Sequence, residues 1–123
     1  MPPKLAKTLN YLEGEHGFLV QHLKDKFPPN TPDVEWIEKL SKEGDWFVIT
    51  KDSNIKKSNH EKKAWEESGL QVVFLDKAWG KKLDFWEIAW RFIKFWPELK
   101  KSIDHSMPST SFQLNINGKI KVL

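Results

Sequence analysis

The sequence contains no cysteine. That excludes a disulfide framework, a thiolate zinc site and a thiol nucleophile, and it suits a reducing compartment. Arginine is almost missing as well: of 20 lysines and arginines, only Arg91 is an arginine. No apolar run approaches the ~18 residues of a membrane span. The opening MPPKLAKTLNYLEG lacks the apolar stretch of a secretory leader. There is no Gly-rich phosphate loop, no GxSxG elbow, no internal repeat and no low-complexity tract. The four histidines, His16, His22, His60 and His105, have no metal-ligand spacing and suit neutral surface or loop roles. These absences leave a cytoplasmic chain with no membrane partner as the expectation.

What is present is aromatic bulk and lysine. Seven tryptophans and eight phenylalanines supply a core, since each large aromatic buries about 150–250 Å². The 123 residues fit one domain spanning 1–123, typical domains being roughly 100–200 residues. A net charge of +3 permits nucleic-acid contact and is equally ordinary for a solvated surface.

Hydrophobic spacing predicts an α/β order. Pro2 and Pro3 open a helix with Leu5, Leu9 and Leu12 on one face, closed by Gly14 as a left-handed cap. FLVQHL (18–23) reads as a short strand. A Pro-rich loop then feeds a helix capped by Asn30 or Thr31, with Pro32 in its first position and Val34, Ile37 and Leu40 inward. WFVIT (46–50) is apolar almost throughout, as a parallel strand covered on both faces should be. Ser58 and Glu61 have capping-box spacing for a third helix, ended by Gly69, and LQVVFL (70–75) is another buried strand. The next helix, 83–96, carries two apolar stripes: Leu83, Trp86, Trp90 and Ile93, and Phe85, Ala89, Phe92 and Trp96. Pro97 is expected to kink or break it before a shorter helix containing Leu99 and Ile103. The tail alternates around Asn117-Gly118, a hairpin signal.

Acidic residues cluster where expected strands end, the edge at which open parallel sheets bind ligands. Asp25 follows the first expected strand, Asp33 and Glu35 open the next helix, Asp52 follows WFVIT by two residues, and Asp76 abuts LQVVFL. Converging carboxylates bind Mg²⁺ or Mn²⁺, because hard cations take oxygen ligands and keep several waters. Each acid also has an ordinary explanation. Asp33 and Glu35 favour a helix's first turn through its dipole, Asp52 suits a turn, and Asp25 and Asp76 suit solvated loops.

The stretch LKDKFPPNTPDVEWIEKLSKEGDWFVITKDSNIKK resembles the PIN-like domain of VapC-type toxins. It carries a Phe-Pro-Pro loop, a T-P-D-x-E-W helix start, a strand ending in I-T-x-D, and a basic segment. MPPKLAKTLNYLEGE is similar to that family's first helix, GLQVVFL to its later strand, and DFWEIAWRFIKFWPELKKSI to its C-terminal helix. The resemblance implies a PIN-like three-layer domain, with a mostly parallel sheet flanked by helices and a C-terminal β-hairpin. It implies a Mg²⁺- or Mn²⁺-dependent ribonuclease toxin of a toxin–antitoxin pair. Asp33, Glu35 and Asp52 would be the acidic site, Asp33 and Asp52 the metal ligands, and Lys51, Lys56 and Lys57 the holders of RNA phosphates. Trp86, Trp90 and Trp96 are read either as core or as a contact for an antitoxin or a second copy.

The family begins with an inner strand ending in Asp, and this sequence starts past that point. The chain is therefore expected to be N-terminally truncated relative to the family, either through a start codon placed too late or as a shortened copy. The second case gives the alternative function, a degenerate PIN-like protein that binds RNA or a protein partner without turnover. A flavodoxin-like fold with surface acids is a third reading.

Overall fold

In a computed structural model of the chain, the described residues are 1–14, 18–51, 59–81 and 83–123, with the backbone alone described at 59–61. The chain divides into two compact units, Met1–Thr31 and Pro32–Leu123.

In the first unit, α1 (Pro3–Glu13) starts behind Pro2, whose extended backbone and missing N–H suit a helix entrance. Leu5, Ala6, Leu9 and Glu13 are its buried residues. Leu12, expected on that face, is 53% exposed. The buried arc of the helix runs from Leu5 through Leu9 and Glu13 to Ala6, and Leu12 falls just past its Leu5 edge. Gly14 ends the helix in right-handed geometry, φ −32° and ψ −35°, rather than as the expected left-handed cap. The strand expected at 18–23 does not form. Its last residue instead begins the short α2 (Leu23–Lys26), which His22 caps by accepting the Lys24 N–H on Nδ1. The other ring nitrogen of His22 lies 3.1 Å from the Met1 carbonyl oxygen.

The second unit is built on a four-stranded sheet in the order β1-β2-β3-β4. Helix α3 (Asp33–Glu43) leads through Gly44 to β1 (Phe47–Thr50), and α4 (Asn59–Ser68) leads to β2 (Gln71–Leu75). The expected cap of α3 is corrected: Pro32 precedes its first residue with no side-chain cap, while the Thr31 hydroxyl donates to the Pro28 carbonyl. Of the capping box expected for α4, Ser58 and the Glu61 side chain lie outside the described residues. β2 pairs in parallel with β1 on one side and with β3 (Ser111–Leu114) on the other. Val72, Val73, Phe74 and Leu75 are buried, which is why this strand is apolar on both faces. β4 (Ile120–Val122) pairs antiparallel with β3. The expected hairpin forms and, through β3, extends the main sheet.

Between β2 and β3 lie α5 (Ala78–Lys81) and α6 (Phe85–Asp104). Asp84 caps α6 by accepting the Glu87 N–H at 2.9 Å. Of the kink or break expected at Pro97, the break does not occur: α6 runs through it for 20 residues. Proline removes one helix hydrogen bond at a cost of about 3 kcal/mol. Burial of Trp96, Leu99 and Ile103 on both sides of Pro97 supplies the opposing term, each large side chain contributing roughly 1.5–3 kcal/mol. Phe92 and Trp96 belong to the same buried face, whereas Trp86, Trp90 and Ile93 are exposed. Among the described residues, no helix is long and apolar enough to cross a membrane.

Trp79 ties the helical layer to the sheet. Its indole N–H donates to the Leu114 carbonyl at 3.0 Å, and its ring meets Phe92 edge-on. Arg91 ties α6 to the hairpin: Nη1 donates to the Ile116 carbonyl at 2.6 Å, and Nη2 lies 3.6 Å from Glu87.

Gly118 in the hairpin turn has φ +89°, and a Cβ placed there would lie 2.6 Å from the Phe95 ring. Gly118→Ala therefore meets both backbone strain and a clash, and should lower stability in urea denaturation by at least ~2 kcal/mol. The tryptophans of α6 should separate by burial. Trp96→Ala should cost about 3–5 kcal/mol, whereas Trp86→Ser at a 76% exposed position should stay within about 0.5 kcal/mol.

Candidate functional site

Helices α3 and α4 run side by side in the same direction. The Trp36 and Trp65 rings meet edge-on at 5.6 Å, and one turn further along each helix the Ser41 hydroxyl donates to the Ser68 carbonyl at 2.8 Å. Their C-terminal ends lead by short turns into β1 and β2, which are parallel. Both strands therefore run back toward the end at which α3 and α4 begin. Asp33, the first residue of α3, lies at that end, where β1 hands the chain on to Lys51. Topology thus brings Asp33 to the carboxyl rim of the sheet, the edge that binds ligands in open α/β folds.

Asp33 sits on the inward side of its helix. Its Oδ1 accepts the Trp36 indole N–H at 2.9 Å, and Trp36 is 3% exposed. Glu35 does not join it. Two residues along a helix turn a side chain by about 200°, and Glu35 accordingly faces outward. It pairs with Lys39 at 3.4 Å, the two side chains being 50% and 55% exposed. The expected coming together of Asp33 and Glu35 is corrected by this geometry, and positions two apart on a helix do not face one another. Trp36 is the residue that sequence reasoning passed over. Its separation of three from Asp33 was a readable signal, since such pairs share a helix face.

The remaining candidates divide between structural roles, exposed positions and undescribed ones. Asp76 is a capping residue, its Oδ1 accepting the Ala78 N–H at 3.1 Å where α5 begins. Asp25 is exposed within α2 and follows no strand. Lys51 is exposed just beyond β1. Asp52, Lys56, Lys57 and His16 lie outside the described residues, as does the side chain of His60. Among the described residues, no group of three or more acidic, histidine or cysteine side chains is placed to hold an ion. Trp96, expected either in the core or at a partner surface, is core: it is 6% exposed and packs against Phe47 and Phe92. Trp86 and Trp90 are 76% and 48% exposed, and the Arg91 guanidinium lies 4.8 Å from the Trp90 ring centre.

A family model described as "PIN like domain" matches residues 1–77. The chain belongs to the PIN like domain family. The match takes in α1 to β2, and with them Asp33, Glu35 and the position of Asp52. Helix α6 and the hairpin lie beyond it, so this finding does not carry the resemblance noted for the Trp-rich helix. No curated protein matches the chain, and no solved structure does. Membership in this PIN-like family gives the chain a nuclease-type fold, mixed α/β with a four-stranded sheet.

The outward position of Glu35 has a measurable consequence. Exposed helix pairs of this spacing contribute roughly 0.3–0.5 kcal/mol. Glu35→Ala should therefore change the urea midpoint very little, and raising the salt concentration should remove what difference there is.

Proposed function

We propose that this PIN-like protein is a metal-dependent ribonuclease of VapC type, the toxin of a toxin–antitoxin pair. The observation that carries the reading is Asp33 at the carboxyl rim of the sheet, inward on α3, inside the segment that matches the family. Asp33 and Asp52 would hold Mg²⁺ or Mn²⁺. The donor chemistry suits such an ion, because Mg²⁺ commonly takes one or two protein carboxylates and keeps its remaining ligands as water. When bound, the ion would lower the pKa of a coordinated water and neutralise charge on a phosphodiester.

The chain's own contribution is positional. Asp33 supplies a negative oxygen at a fixed place, held by Trp36. Lys51, with Lys56 and Lys57 from the segment that follows, would neutralise phosphates along an RNA strand. Glu35 faces solvent and takes no part in this arrangement. Trp86 and Trp90 would form the antitoxin contact, since exposed aromatics beside an arginine are characteristic of binding surfaces.

A second reading is that the chain binds RNA without cleaving it. One assay separates the two. Under the nuclease reading, single-stranded RNA is cleaved only with Mg²⁺ or Mn²⁺. Cleavage disappears in Asp33→Ala and Asp52→Ala and survives in Glu35→Ala. RNA retained in a gel shift, yet uncut in either metal, would select the binding reading. Cleavage that persists in EDTA sinks the metal mechanism.

A further inference from the structure

We infer that Trp36 is a positioning residue for Asp33, a role that rests on the metal reading above. An aspartate in the first turn of a helix ordinarily has several rotamers open to it and is solvated from one side. Here one carboxylate oxygen is claimed. The Trp36 indole N–H, which can only donate, reaches Oδ1 at 2.9 Å. The indole is itself held. It is 3% exposed, and its ring stands at 79° to the Trp65 ring at 5.6 Å. Asp33 is thus fastened through Oδ1 to a buried group in the helical layer.

Such an arrangement lowers the cost of binding a cation. The rotamer entropy of the ligand is lost on folding and not again on binding. The N–H also fixes which oxygen it occupies, Oδ1. Partners of this kind behind a metal-binding carboxylate change affinity by roughly 10- to 100-fold. A purely structural role, in which Asp33 merely satisfies a buried indole, makes a different demand. Removing the N–H while keeping an aromatic ring would then affect folding alone.

The full-length protein can be titrated with Mn²⁺ by calorimetry as wild type, Trp36→Phe and Trp65→Phe, with thermal melts alongside. Trp36→Phe should bind Mn²⁺ roughly 10- to 100-fold more weakly. Trp65→Phe, which disturbs the same aromatic contact and leaves the Asp33 bond in place, should bind as wild type does. In ¹⁵N spectra the Trp36 indole resonance should move on addition of Mg²⁺ and stay still in Asp33→Asn. Wild-type affinity in Trp36→Phe overturns the positioning role and leaves the metal reading standing. Equal losses in both tryptophan variants overturn it as well, since they point to general damage to the helix pair. Failure of the wild-type protein to bind Mn²⁺ overturns the metal reading, and this role falls with it.

Discussion

The parallel pairing of β2 on both of its edges is the constraint from which the second unit follows. A strand flanked in this way must be reached and left by crossover connections, because parallel neighbours cannot be joined by a tight turn. Each crossover spends its length on a helix that returns the chain to where strands start. The carboxyl ends of β1, β2 and β3 therefore lie at one rim. Val72, Val73, Phe74 and Leu75 make the arrangement favourable by burying apolar side chains on both faces of β2. The position of Asp33 is a by-product of this traffic. It begins a helix that feeds β1, so it stands where β1 finishes. A carboxylate at that rim needs no special loop to put it there.

Much of the fold was legible because its signals were long or doubled. β2 read as buried from its apolar VVFL run, and the Asn117-Gly118 pair marked a hairpin that formed as expected. FLVQHL misled because a short apolar run does not distinguish strand from loop or helix. There His22 acts as a cap, and the polar Lys24–Lys26 stretch takes a helical turn. Pro97 misled for an energetic reason: proline disfavours a helix interior locally, but the buried residues on both sides hold α6 together. The two stripes of α6 were indistinguishable by hydrophobicity. Which one is buried depends on partners in other elements, such as Phe47 and Trp79.

The geometry around the candidate acids was legible in part. Asp33 could be picked out because an acid that opens a helix feeding a parallel strand must lie near the sheet's carboxyl rim. Glu35 was grouped with it by proximity in sequence, yet helical geometry sends side chains two positions apart in opposite directions. The indole of Trp36 escaped notice because tryptophan suggests packing, and its single N–H donor is easily overlooked. A buried donor must find an acceptor or forfeit about 1–3 kcal/mol, so a tryptophan three residues after an aspartate carries polar as well as apolar information.

Arg91 is already engaged inside the fold, with its guanidinium divided between the Ile116 carbonyl, Glu87 and the Trp90 ring. Since it is the only arginine, every other cationic side chain that could meet a polyanion is a lysine. Ammonium groups attract phosphate as point charges and lack the planar two-pronged fit of a guanidinium. A surface of this kind senses how much negative charge is near it and discriminates poorly among its shapes. Under the proposed ribonuclease reading, selectivity for one polyanion over another would come from stacking or from the chemistry at the rim, and the hold on the backbone would weaken steeply as ionic strength rises.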